Sequence, residues 1–167
     1  FAPDGVVAHC SGALPSTVLE PASRAGASIG SIHPLQSFAT AEQALQILPG
    51  SYCCIEGDET AVDALEEVAG VLGCPVMTIP TEGKTLYHAA AVVACNFLVA
   101  LEDAAVELDG AAGIDEERAL QSLMPLIKGT VSNMEQVGLP DCLTGPIARG
   151  DVETTRKHLE DIEEHCP

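Results

Sequence analysis

Basic residues are what this sequence has least of. Seven Lys and Arg stand against 25 Asp and Glu in 167 residues, giving a formal net charge of −18 and a pI near 4.3. The chain has no basic stripe to neutralise phosphates, which argues against a nucleic-acid partner. An anionic membrane surface is disfavoured on the same ground. The seven cysteines form no CxxC pair, and no His/Cys cluster has zinc-finger spacing, so no metal site is expected. Their odd number and mostly apolar surroundings read as reduced, buried thiols of a cytoplasmic protein rather than a disulfide framework. The GxGxxG fingerprint and the P-loop are both absent, as is any Ser/His/Asp order or carboxylate pair suited to hydrolysis. The longest apolar run, Leu86 to Leu101, is interrupted by His88 and Asn96 and falls short of the ~20 residues of a membrane span. No signal peptide, internal repeat or low-complexity segment is visible. The chain opens at Phe1 directly on strand-like sequence and reads as a piece of something longer.

What is present divides near residue 80. Before it, short strand-like runs alternate with helical ones: Gly5 to His9, a helix over Ser16 to Arg24, Ala27 to Ile32, a helical turn over Ala41 to Leu48, Tyr52 to Ile55, a helix over Asp58 to Leu72, and Pro75 to Ile79. The helix at Asp58 is the clearest, since Val62, Leu65, Val68, Ala69 and Leu72 recur at three- and four-residue spacing and Gly73 follows as a stop. Strands alternating with helices predict an α/β layer with parallel pairing. After residue 80 the pattern is helical: Glu82 to about Gly110, then Asp115 to about Val137 with a distortion near Pro125 and Gly129. A Pro- and Gly-rich connector, Leu139 to Gly150, then leads to a last helix capped by Asp151. Capping explains Asp151 better than reading Arg149-Gly150-Asp151 as an adhesion signal. The expectation is an α/β domain over residues 1–80 followed by an all-α domain over 81–167. Leu86 to Leu101 is apolar on more sides than one bundle face requires, and its alanines permit close helix approach, so the helical half predicts a homodimer.

Lysine is scarce enough for its position to matter. No Lys or Arg occurs between Arg24 and Lys84, and His88 follows Lys84 one turn later on the same helical face, with Asn96 on the wider face beyond. Reducing a carbonyl or imine requires a group that donates a proton or a hydrogen bond to the developing charge, and Lys, His and Asn supply that chemistry. A solvated first-turn lysine and a hydrogen-bonded core histidine would explain the same pair. The turn His9-Cys10-Ser11-Gly12 ends the first strand and His33-Pro34 ends the second, at the strand ends where ligands of open α/β sheets collect. A lone strand-end histidine is often structural. Lys128-Gly129-Thr130 with Asn133 places polar groups in an apolar helix, where they either line a pocket or bond the backbone at a glycine kink.

Six segments occur in a telling order: His9 to Leu14, Ser31 to Gln36, Leu48-Pro49-Gly50, Ile55-Glu56-Gly57-Asp58, Lys84 to Ala91 with Asn96, and Leu143 to Asp151. Together they resemble an uncharacterised family of Rossmann-like oxidoreductases whose C-terminal half is a domain of unknown function. Its relatives are pyrroline-5-carboxylate reductase and the β-hydroxyacid and 6-phosphogluconate dehydrogenases. The resemblance implies that residues 1–80 are the C-terminal part of a Rossmann-like domain without its Gly-rich loop. It further implies that residues 81–167 are a helical dimerisation and substrate domain of the 6-phosphogluconate dehydrogenase C-terminal-like type. It implies NAD(P), with NADP preferred, bound mainly by residues upstream of this chain, while His9 and Ser11 reach the nicotinamide side. Lys84 and His88 stand where related dehydrogenases keep a lysine and a polar residue one turn on, with His in place of the Asn usual in β-hydroxyacid dehydrogenases. The expected function is the substrate-side portion of an NAD(P)-dependent oxidoreductase acting on a small carbonyl or imine compound that carries a carboxylate. Lys84 and His88 would be catalytic. Ser11, Gly12, His33, Asn96, Thr130 and Asn133 would bind substrate, with a dimer partner as one route for the last two. A non-catalytic ligand-binding or dimerisation module with the same fold is the rival.

Overall fold

The structure is a computed structural model describing residues 5–166. Its first half builds four strands, β1 (Val6–His9), β2 (Ser28–Pro34), β3 (Cys53–Gly57) and β4 (Val76–Thr78), in the order β1-β2-β3-β4. A 3₁₀ turn (Ser16–Leu19) and α1 (Glu20–Arg24) carry the chain from β1 to a parallel β2, and α3 (Glu59–Val71) carries it from β3 to a parallel β4. The central pair is different. β2 and β3 are antiparallel, with Ile32 opposite Ile55 and His33 opposite Cys54, so the sheet is mixed and the expected all-parallel layer is corrected. The connection between them explains the change. Its helix, α2 (Ala41–Ile47), buries no residue and leaves Leu45 80% exposed, so it has no face to lay across the sheet as a crossover. Instead the chain folds back, and Leu35 N–H donates to the Tyr52 carbonyl at 2.7 Å, continuing the β2–β3 ladder.

The core lies between the sheet and its helices. Ile32, Cys53, Ile55, Leu65, Ala69 and Cys74 form one buried cluster, supported by Leu48, Val62 and Val76. Ala22, Ala27 and Ile29 form another, with Val7 and Leu19 against it. Gly57 closes β3 at a φ of +144°, and a Cβ there would lie 2.3 Å from the Ile29 carbonyl oxygen, so only glycine permits this approach of the two strands. The next residue, Asp58, accepts from Ile29 N–H at 2.8 Å and starts α3. All seven cysteines are free; Cys53, Cys54 and Cys74 are buried, whereas Cys10 is exposed.

A 3₁₀ turn (Thr81–Gly83) leads into α4 (Lys84–Ala111), followed by α5 (Glu116–Val137), α6 (Gly145–Arg149) and α7 (Val152–His165). Asp115 caps α5 by accepting from Arg118 N–H, and Pro125 sits inside that helix. Asp151 accepts from both the backbone N–H and the hydroxyl of Thr154, which makes it the cap of α7. Two compact units divide the chain, Phe1–Phe97 and Leu98–Pro167. The first therefore includes the sheet and the opening turns of α4. In the second, only Ala119 is a buried hydrophobic residue among those described. The apolar run beginning at Leu86 continues as a 28-residue helix, so by length and composition α4 is long enough to cross a membrane, contrary to the expectation from the run alone. Many of its apolar side chains are uncovered, including Leu86, Val93, Phe97, Val99 and Leu101.

Candidate functional site

In the first unit, His33 near the end of β2 and the opening turns of α4 border a pocket of about 610 Å³. Its polar lining is made by His33, Gln36, Tyr87, His88 and Asn96, and its apolar lining includes Met77 of β4 and Ala90, Ala91, Ala94 and Cys95 of α4. The small side chains of α4 create this space: alanines at 90, 91 and 94 leave room that longer residues would fill. Small apolar walls with few convergent polar groups are typical of small-molecule sites.

His33 and His88 stand with ring centroids 6.2 Å apart in an edge arrangement. Gly12 packs against both. A Cβ built on it would lie 2.7 Å from Cε1 and Nε2 of His33 and from Cδ2 of His88. The strand-end turn, the second strand end and the first turns of α4 thus converge and bring Gly12, His33 and His88 together, with Asn96 lining the pocket that holds both histidines. Neighbouring Ser11 is half-buried, and its hydroxyl oxygen accepts from Ala13 and Leu14 N–H, leaving its proton free to donate. His9 is fully engaged within the turn: Nδ1 accepts from Ser11 N–H at 3.1 Å, and Nε2 lies 3.2 Å from the Pro15 carbonyl. It shapes the turn and has no ring nitrogen to spare. Thr130 and Asn133 are in the second unit, exposed on α5, where the Thr130 hydroxyl donates to the Leu126 carbonyl.

Lys84 is not a solvated first-turn lysine. It is 1% exposed, and its ammonium donates to Ser31 Oγ at 2.6 Å while standing 5.8 Å from the centre of the Tyr87 ring. Ser31 in turn donates to Glu56 Oε1 at 2.7 Å. Glu56, 1% exposed in β3, also accepts from Ser16 N–H, Ser16 Oγ and Thr81 Oγ1 at 2.7–2.9 Å. A buried cation and a buried anion are joined through one serine, and every member has a partner. Burial alone would raise the Glu56 pKa, but the hydrogen bonds from Ser16, Ser31 and Thr81 outweigh it and hold the carboxyl below its usual 4.5. Burial pushes Lys84 below the usual 10.5, with Cys54 and Glu56 acting in the opposite sense. Above this network Tyr87 places its hydroxyl 2.9 Å from His33 Nδ1.

Glu56, Ser31 and Tyr87 were given no role on sequence grounds. The signal for Glu56 was there, since an acid in the buried strand Cys53-Cys54-Ile55-Glu56 must find partners. Among the described residues no group of three or more His, Cys, Asp or Glu is arranged to hold a metal.

Residues 51–166 match the family described as a domain of unknown function (DUF2520). No curated protein matches the chain. Among solved structures it is similar to protein TM1727 from Thermotoga maritima, at 33% identity and a TM-score of 0.81, covering 95% of this chain and 61% of that one. It is also similar to BF3122 from Bacteroides fragilis, provisionally assigned as an NADP oxidoreductase, at 23% identity, a TM-score of 0.75 and coverage of 95% and 58%. A pyrroline carboxylate reductase from Plasmodium falciparum, solved with NADP bound, matches at 12% identity, a TM-score of 0.60 and coverage of 92% and 61%. The last two likenesses show a shared fold. The chain spans about three fifths of the length of each of these proteins.

Proposed function

The chain belongs to the DUF2520 family, and from that premise we propose that it is the substrate-side portion of an NADP-dependent oxidoreductase acting on a small carbonyl or imine compound that carries a carboxylate. The observation that carries this reading is the pocket, where two imidazoles and a phenol face an apolar wall across a space sized for a small molecule. His88 is the proton-exchanging group, because it lines the pocket and has no hydrogen-bond partner among the described residues. Lys84 acts from beneath, as a buried positive charge behind Tyr87 and His33 rather than as a group in the pocket. Ser11, Gly12 and Asn96 border the substrate. Thr130 and Asn133 belong to the second unit and, on this reading, line the pocket as well, with a dimer partner as one route to it. The seven free cysteines suit a reducing cytoplasm.

NADP is tested against the residues at hand. Pyrophosphate binding in this fold class rests on a Gly-rich turn at a helix N-terminus, and none is found among the described residues. The free Ser11 hydroxyl fits only the nicotinamide end, where the cofactor would supply the hydride. Calorimetry is expected to show negligible NADPH affinity for residues 1–167 alone and clear affinity for a chain extended upstream. Micromolar binding to residues 1–167 would overturn the placement of the cofactor, and no binding to an extended chain would overturn the oxidoreductase reading.

The exposed apolar residues of the helical unit point to self-association. Leu98, Val99 and Leu101 of α4 and Leu120, Met124 and Leu126 of α5 are all uncovered, and a stable pair buries well over ~1,000 Å² in total. With a net charge of −18 on each copy, low salt should loosen the homodimer by like-charge repulsion and added salt should tighten it. Light scattering that finds only monomer at high protein and high salt concentration rules the homodimer out.

A further inference from the structure

The His33 ring has a close neighbour at each edge. On one side the Tyr87 hydroxyl lies 2.9 Å from Nδ1. On the other the Nε2 edge faces Gly12, where a Cβ would come within 2.7 Å of Nε2. Any other residue at position 12 would press a methyl or methylene group onto that nitrogen, and His33 itself lines the pocket. We propose that His33 is a fixed, neutral hydrogen-bond donor: Tyr87 O–H donates to Nδ1, the ring proton is thereby placed on Nε2, and that N–H meets a carbonyl or carboxylate oxygen of the ligand. This rests on the reading of the pocket as the substrate end, and names the group that meets the substrate oxygen.

The Tyr87–His33 bond is assigned with the phenol as donor, the direction that leaves the ring proton on Nε2. A phenol has one proton, and a neutral imidazole has one donor and one acceptor nitrogen. Burial, then the neighbouring Cys54, pushes the Tyr87 phenol well above its ordinary range, so the phenol keeps the proton that this bond needs. The groups facing His33 favour the neutral ring. Burial acts first, and Lys84 and His88 on α4 add to it. From β3 the cross-strand partner is Cys54, kept a thiol chiefly by burial. Glu56, the nearby anion on that strand, directs its oxygens at Ser16, Ser31 and Thr81 instead. A neutral donor fixed by its second nitrogen can polarise an oxygen without first losing a proton. The wall of Met77, Ala90, Ala91 and Ala94 takes an apolar tail. The ligand class is therefore a short-chain compound with an oxygen acceptor at one end and an aliphatic group at the other.

Two-bond ¹H–¹⁵N spectra of histidine-labelled protein test this without cofactor or turnover. At pH 7 His33 is expected as the neutral Nε2–H tautomer, titrating below the ordinary value of ~6.5. Tyr87→Phe should let the ring populate both tautomers, and Lys84→Met should move its midpoint upward. Adding 4-methyl-2-oxopentanoate as the probe should displace the Nε2–H resonance in the wild type and leave it unmoved in Gly12→Ala. An Nδ1–H tautomer, an imidazolium at pH 7, a tautomer unchanged by Tyr87→Phe, or a wild-type resonance indifferent to the keto acid would each overturn the proposal. NADPH binding decides the oxidoreductase reading separately, so the two failures are distinguishable.

Discussion

Glu56→Ala is expected to lower folding stability by about 3–5 kcal/mol, the range seen when one partner of a buried ion pair is removed. The carboxylate ties five places in the chain together: the turn at Ser16, β2 at Ser31, β3 itself, the turn at Thr81 and, through Ser31, the start of α4 at Lys84. Without it four donor contacts lose their acceptor and the buried Lys84 ammonium loses the anion it reaches through Ser31. Chemical denaturation should show a lower midpoint at an unchanged slope. Because the two charges share one serine, Glu56→Ala and Lys84→Met should be less than additive in the double variant; strict additivity would mean that the chain of hydrogen bonds carries no coupling. The pH dependence has a definite sign. The folded Glu56 carboxyl is depressed below 4.5, so its contribution is complete above the unfolded value and is lost as pH falls through the folded one. Lys84 is also depressed, from 10.5, so the unfolded chain binds more protons there and stability rises with pH through the alkaline window. Glu56→Ala should therefore be less sensitive to acid than the wild type, though weaker throughout.

The parts legible in the sequence are those set by local pattern. α3 followed from apolar spacing and Gly73, and the start of α7 from Asp151 one residue before Val152, both within a few residues of the observed bounds. Strand direction was not legible, because alternation and turn residues are the same in parallel and antiparallel pairs. What reverses β3 is a short α2 with no buried face, a property of packing rather than of propensity. The site divides in the same way. Lys84 was conspicuous because it is the first Lys or Arg after Arg24, yet its burial depends on Ser31, 53 residues earlier, and on Glu56, which is itself 25 residues from Ser31. Gly12, His33 and His88 each looked like a modest strand-end or helix feature, and their meeting is a product of the fold. Tyr87 lay in plain view between Lys84 and His88, but its partner is a histidine 54 residues earlier.

The separation of Lys84 from the pocket and of His88 from the network gives the last expectation. A carbonyl that accepts a hydride becomes an alkoxide, and a donor must stand within about 3 Å of it; preorganised donors typically contribute ~10²–10³ in rate. His88 is the ring in position to exchange that proton: it borders the pocket, is only half-buried and has no hydrogen-bond partner among the described residues. Lys84 has its ammonium on Ser31 and is 1% exposed, so it influences the charge through the field it projects past Tyr87 and His33. Two variants should therefore part company. In a chain extended upstream, which is the form expected to bind NADPH, His88→Ala is expected to keep wild-type denaturation within ~1 kcal/mol, as for a side chain outside the core, while turnover of a 2-oxo acid or imine substrate falls by ~100-fold or more. Lys84→Met should lose both stability and rate, because it strips the cation from the buried network and from behind the histidines. Steady-state kinetics beside denaturation curves on the same preparations decide the matter. Undiminished turnover in His88→Ala ends its assignment as the proton-exchanging group, and a Lys84→Met protein as stable as the wild type removes the case for Lys84 as the cation of the Glu56 network.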